Sequence, residues 1–203
     1  MSRKSNTQQR RQEITAAFLR VLANQGYEKA TIQAIANEAA LTPGLIHYHF
    51  STKAEILVEL ITTLTTVFEA RFEDLLSRAK TPHQRLQAYV EARLAKGDGE
   101  NPDAVAAWVI IGAEAIKQEE VRTLYAQTIA RELRLLQGLL AEYLVAEGKQ
   151  ESSARHLAAT LLSTMEGSFQ LASAAAEHMP KRYAAKTVLL MIERFVALEP
   201  TDK

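Results

Sequence analysis

Two helix-start signals stand so close together that only a tight turn can separate the helices they open. Thr31 can N-cap a short helix whose apolar residues Ile32, Ile35, Ala36 and Ala39 fall at helical spacing. Thr42-Pro43 is a second start signal, because proline suits the first helical position. Only Ala40 and Leu41 are left for the turn between them. Helices joined so tightly cross at a steep angle, the geometry of a helix-turn-helix whose second helix enters the DNA major groove. That helix is predicted over Pro43 to Tyr48.

Its residue types suit docking against nucleic acid better than burial. Ile46 and Phe50, four apart, can anchor it to a core. Thr42, Pro43, Gly44, Leu45, His47, Tyr48 and His49 are then available to DNA, with Thr31 and Gln33 from the preceding helix. Gly44 lets backbone approach phosphate, while the hydroxyls and imidazoles supply donors. His47 and His49 are i,i+2 on a helix and point to different faces, so no metal site is predicted. Ser51 or Thr52 caps the next helix and Lys53 falls in its first turn, where a cation opposes the helix dipole. Local stability therefore does not explain Lys53. A phosphate held between its ammonium and the helix N-terminus does.

The stretch TIQAIANEAALTPGLIHYHFSTK resembles the DNA-binding segment of the TetR-type transcriptional regulators. The likeness is carried, without a gap, by Thr31, Ile32, Ile35, Ala36, Ala39, Leu41, Thr42, Gly44, Ile46, His49, Phe50, Thr52 and Lys53. Gln33 stands where arginine is common and His47 where tyrosine is usual, so the details of base reading do not carry over. The resemblance implies an all-α, nine-helix architecture: a three-helix DNA-binding head over residues 1–50 and an effector-binding and dimerisation body over 51–203.

Helical periodicity runs through the remainder. Residues 1–7 read as a loose tail or, through Arg3 and Lys4, as a minor-groove arm. Gln8 to Gln25 form the first helix, with Gly26 a good residue to end it. Ser51 to Ala79 make a long connecting helix, about 40 Å at 1.5 Å per residue. Thr81-Pro82 starts helix five, which is expected to end near the glycines of KGDGEN. Asn101-Pro102, Gln118 or Glu119, and Ser152 open the next three, and Met179-Pro180 separates helix eight from helix nine. The formal charge of the whole chain is zero, yet residues 1–55 carry seven Lys/Arg against four Asp/Glu while the rest carries 17 against 20. That polarity fits a basic head on a mildly acidic body. Cysteine is absent, which removes disulfides and thiolate sites, and no signal peptide or membrane span is visible, so a cytoplasmic protein without membrane association is expected.

For the body, NPDAVAAWVIIGAEAIKQEEVRTLYAQ is similar to the BetI-type regulators, and that likeness hints at a small cationic effector. One residue supports it independently. From His156 to Ala176 the sole acidic or basic side chain besides His156 is Glu166. A buried carboxylate needs a partner: Arg194 or Arg131, solvent at the rim of a dimer interface, or a cationic ligand in a cavity walled by Phe68, Tyr89, Trp108 and Tyr125. Helix eight is apolar on two faces. The face of Leu157, Leu161, Thr164 and Ser168, with Ile192 and Phe195 of helix nine, is expected to form a homodimer; the alternative is a central helix buried in a monomer. No nucleophile constellation, phosphate loop or zinc signature appears, which argues against an enzyme, and no cofactor is called for. A purely structural helical protein would leave Thr42, Pro43, Gly44 and Lys53 unexplained. The expected function is a ligand-responsive regulator, most simply a repressor, that binds a palindromic double-stranded DNA operator as a homodimer; an activator, or a regulator without a small-molecule effector, is the alternative.

Overall fold

The computed structural model describes residues 3–94 and 101–201. Helix starts follow from caps already legible in the chain. Thr31 Oγ1 accepts the Ala34 amide at 3.1 Å, Thr42 Oγ1 that of Leu45 at 3.3 Å, and Thr52 Oγ1 that of Glu55 at 3.1 Å. Each bond satisfies one of the amides that a helix start leaves open. Asn101 Oδ1 does the same for Asp103 and Ala104, ahead of Pro102.

Among the described residues there are nine α-helices and no strand: α1 (Arg3–Lys29), α2 (Ile32–Glu38), α3 (Pro43–His49), α4 (Lys53–Leu76), α5 (Pro82–Leu94), α6 (Pro102–Lys117), α7 (Glu119–Ala146), α8 (Ala154–Ala174) and α9 (Ala184–Leu198). Several boundaries differ from expectation, and α3 ends at His49 rather than Tyr48. The first helix begins at Arg3 rather than Gln8, so the stretch read as a loose arm is helical from there. The connecting helix runs from Lys53 to Leu76 instead of Ser51 to Ala79. A 3₁₀ turn, Glu151–Ser153, precedes α8, which starts at Ala154. The expected end of helix five at the KGDGEN glycines lies outside the described residues.

Gly26 interrupts α1 as its place in the sequence suggested. Its φ of 80° and ψ of 170° belong to a region that is essentially glycine's alone. The α2–α3 turn closes differently. Leu41 N donates to Ala36 O at 2.9 Å and Ala40 N to Asn37 O at 3.2 Å, with Ala40 at φ 53°. This is a Schellman closure with alanine where glycine is usual, at a steric cost of about 1–2 kcal/mol.

Packing divides the chain into two compact units: Met1–Thr66 with Asn101–Ala126, and Val67–Glu100 with Gln127–Lys203. The division expected at residue 50 is therefore drawn elsewhere, because α6 packs on α1. Ala107 and Ile111 of α6 and Val121 of α7 share one core with Phe18, Ile46 and Phe50. The second unit is built around Tyr89, Leu136, Leu140, Leu162, Met165 and Ile192. No helix among the described residues is long and apolar enough to cross a membrane.

Candidate functional site

Helix α3 is held from below and bare above. Ile46 and Phe50 are buried in the first unit's core, as their spacing predicted. Thr42, Gly44, His47 and Tyr48 are exposed, and Pro43, Leu45 and His49 are half-buried. Tyr48 is 78% exposed, its ring meeting only the edge of His49 at 5.0 Å, so nothing inside the head explains an aromatic group there. A Cβ added at Gly44 would meet nothing within 4 Å. Packing thus does not demand glycine, and the backbone stays open to an approaching phosphate. Thr31 and Gln33 on α2 are exposed too, with Gln33 Nε2 donating to Asn37 Oδ1 at 2.8 Å.

Arg11 of α1 fixes the angle at which α3 leaves this surface. Its Nη1 donates to the His49 carbonyl at 2.6 Å and to Glu55 Oε1 at 3.2 Å, and its Nη2 to Glu59 Oε2 at 2.8 Å. The guanidinium carbon lies 3.9 Å from the Phe50 ring centroid. One planar fork thus satisfies a carbonyl that the end of α3 leaves open and ties α3 to the first turns of α4. The Ser51 amide, donating at 2.8 Å, and Arg11 together hold the Glu55 carboxyl below its usual range.

Lys53 has a local partner that the dipole argument did not foresee. Its Nζ donates to the Tyr27 carbonyl at 2.9 Å and stands 3.9 Å from the Tyr27 ring centroid. Burial lowers the lysine pKa, opposed by Glu114 and Glu28. The premise that local stability cannot account for Lys53 is corrected: the ammonium fastens the start of α4 to the turn after Gly26. Burial also pushes up the pKa of the Tyr27 hydroxyl, with Glu120 and Glu114 adding to the shift.

The second unit holds its own arginine cluster. Phe68 and Phe72 meet Tyr89 edge-on, with centroids 5.4 and 5.6 Å apart. Arg93 stands over Phe68 at 4.8 Å and Phe169 at 5.5 Å. Its guanidinium bonds Glu132, and Glu166 Oε1 is 3.9 Å away. Glu166 thus has an intramolecular partner as one reading required, and Arg93 is one. Arg131 pairs instead with Glu69 at 3.1 Å, and Arg194 is exposed. Burial pushes the Glu132 carboxyl up, Arg93 pulls it down, and Glu166 adds to the upward shift. Tyr89 is fully buried; burial raises its pKa and neighbouring Glu132 adds to this, while its hydroxyl and Arg93 Nε find no hydrogen-bond partner. The five expected effector-site residues fall into both units: Phe68, Tyr89 and Glu166 in the second, Trp108 and Tyr125 in the first, where their rings lie 5.2 Å apart.

Residues 14–60 match the family model for bacterial regulatory proteins of the tetR family. Residues 82–197, more than half the chain, match the C-terminal model of the BetI-type transcriptional repressors. The chain belongs to the TetR family. Membership places it among transcriptional regulators rather than enzymes. The HTH-type transcriptional regulator BetI of Rhizobium meliloti (strain 1021) is 35% identical over 134 residues, covering 65% of this chain and 65% of that protein. Its namesake from Agrobacterium fabrum is 33% identical over 115 residues, 57% of this chain and 55% of that one. The match thus spans less than two thirds of either relative's length. Among solved structures, a putative transcriptional regulator from Pseudomonas aeruginosa PAO1 aligns with a TM-score of 0.81 at 19% identity, covering 94% of this chain and 92% of its own. A putative transcriptional regulator from Saccharomonospora viridis in complex with choline aligns at 0.75 and 21% identity, covering 97% and 100%. These two show a shared fold.

In this TetR-family chain the α8 face expected to pair with a second copy is already used. Leu157, Leu161 and Ile192 are buried in the unit's own core, Thr164 and Ser168 are half-buried, and of the six expected residues only Phe195 is exposed. Periodicity marked two apolar faces of α8 and could not say which one α5 and α9 would cover. Exposed on α8 are Ala159, Ser163, Gly167 and Leu171, with Leu190, Met191 and Phe195 on α9, beside the charged Arg155, Lys186 and Arg194. Arg11 and Arg93 were both missed. Each works through partners far along the chain, and the nearest signal was compositional: an arginine on a helix with glutamates elsewhere.

Proposed function

We propose that this chain is a repressor that reads a palindromic operator as a homodimer and is released when a small effector binds its body. The observation that carries the reading is α3, pinned by Ile46, Phe50 and Arg11 while Thr42, Gly44, His47 and Tyr48 face outward. In this reading His47, Tyr48 and Gln33 read base edges, Thr31, Thr42, Gly44 and His49 position the backbone, and Lys53 lends an ammonium proton to a phosphate while keeping its bond to Tyr27.

A helix this short contacts few base pairs, so specificity requires two heads about 34–36 Å apart. The exposed apolar groups Leu171 of α8 and Leu190, Met191 and Phe195 of α9 supply a surface that a second copy can cover in that pairing. On the effector side, Glu166 and the rings of Phe68 and Tyr89 favour an organic cation. The Saccharomonospora neighbour, in complex with choline, points the same way.

The test is fluorescence anisotropy with DNA from upstream of the chain's own gene, with and without choline. A complex tighter than on scrambled DNA, weakened by His47→Ala and by choline, is the expected result; equal affinity for both DNAs overturns operator recognition. A complex indifferent to choline and to other small molecules leaves a regulator without an effector. For the dimer, Met191→Glu should sediment as a monomer and lose the operator. A dimer that survives this change places the interface elsewhere.

A further inference from the structure

We propose that Asn37, on the outer face of α2, is the positioning residue that makes Gln33 selective, and that the oriented Gln33 amide chooses an A·T base pair in each operator half-site. This rests on the operator reading above and names the base that one part of it reads. Gln33 and Asn37 stand one helical turn apart, both exposed, and Gln33 Nε2 donates to Asn37 Oδ1 at 2.8 Å. The bond uses one of the two protons on Nε2 and leaves the other proton and the Oε1 acceptor for a ligand.

A free glutamine turns about three side-chain bonds and can offer its donor and acceptor in either order, so it must be ordered before it can discriminate between bases. Asn37 Oδ1 accepts and cannot donate, so it holds the nitrogen end of the amide and fixes which end is oxygen. The free edge, one N–H beside one carbonyl, complements adenine, whose N7 accepts and whose 6-amino group donates in the major groove. Guanine sets two acceptors there, which would leave Gln33 Oε1 against an oxygen or a nitrogen lone pair. The rest of α2 holds this edge steady. Ile35 and Ala36 are buried on the opposite side, and Thr31 caps the start of the helix. The carboxylate next to Asn37, Glu38, is drawn to α1 by Arg20 Nε at 2.5 Å, so it does not stand unpaired beside an approaching phosphate. The fold itself does not call for the pair: an exposed amide pair adds little to a helix, and alanine is the better helix former at both positions.

The test selects an operator from randomised DNA with the full chain. Anisotropy then measures affinity for the selected site and for versions with each base pair replaced in turn. The base pair read by α2 is the one whose preference Gln33→Ala removes. There the wild type should prefer A·T about tenfold, the scale of one bidentate contact. Asn37→Ala should cut that preference about fivefold while the preferences at other positions stay as they were, which a general loosening of the head would not do. Asn37→Asp keeps the acceptor and should keep the preference, and adding Asn37→Ala to Gln33→Ala should change nothing further. A preference untouched by Asn37→Ala, additive effects of the two alanines, or a base other than adenine at the Gln33-dependent position overturns the proposal and leaves operator reading standing. Failure of the wild type to enrich any sequence overturns both.

Discussion

The two units contain the same small assembly, an arginine stacked on phenylalanine and facing two glutamates, and they put it to opposite electrostatic ends. In the DNA-binding unit Arg11 faces Glu55 and Glu59 with 28% of its side chain exposed, and Glu55 keeps 40%. In the body Arg93 faces Glu132 and Glu166 with 11% exposed, and Glu132 keeps 5%. Water screens the first cluster, so the amide of Ser51 and Arg11 prevail and the Glu55 carboxyl is held low. Loss of water dominates the second, and Glu132 is pushed up despite its arginine. Residue types therefore do not tell what an ion cluster does; the water left around it does.

Deleting each arginine should widen the contrast. Arg93→Ala strands Glu132 in the interior and is expected to cost about 3–5 kcal/mol of stability, as broken buried pairs do. Arg11→Ala leaves its glutamates in water and should cost about 1–2 kcal/mol, mainly the bond to the His49 carbonyl and the stacking on Phe50. Urea unfolding of the full chain, with amide exchange to localise the loss, measures both. Equal costs would mean that burial is not what separates the clusters.

A second effect concerns pH, and its sign differs between the units. Glu132 has a folded pKa above its unfolded value, so the folded state holds more protons between the two values. Its contribution is fully present below the unfolded pKa and is lost as pH rises through the folded one. Glu55 is depressed, so its contribution is present above the unfolded pKa and lost as pH falls through the folded one. Unfolding midpoints measured against pH should therefore flatten on the upper side of the carboxylate range in Glu132→Gln and on the acid side in Glu55→Gln. The same change from both substitutions would erase the distinction.

Lys53 gives the smallest expected effect and the sharpest view of the head. Lys53→Ala removes a bond to a backbone carbonyl and a ring contact, worth about 1 kcal/mol together. If its ammonium also meets a phosphate, affinity for every DNA sequence should fall alike and the salt slope should drop by about one. A changed stability with an unchanged salt slope would make Lys53 a fastening of α4 to α1 and nothing more.

Much of the head was legible because its determinants are local. A cap spans three residues, so Thr31, Thr42, Thr52 and Asn101 announced their helices, and the spacing of Ile46 and Phe50 announced which side of α3 is buried. The TetR-type resemblance and the all-α architecture followed from the same kind of pattern. What the chain could not reveal by itself are the pairings and the choice of face. Arg11 meets His49 across 38 positions and Arg93 meets Glu132 across 39. A helical period states which residues share a face but not which face a neighbouring helix will cover, and so Leu157, Leu161 and Ile192 proved to be core while Leu171 and Met191 stayed open. Only tertiary packing decides how much water each charge keeps, and that decided that the Glu55 carboxyl is held low while the Glu132 carboxyl is pushed up.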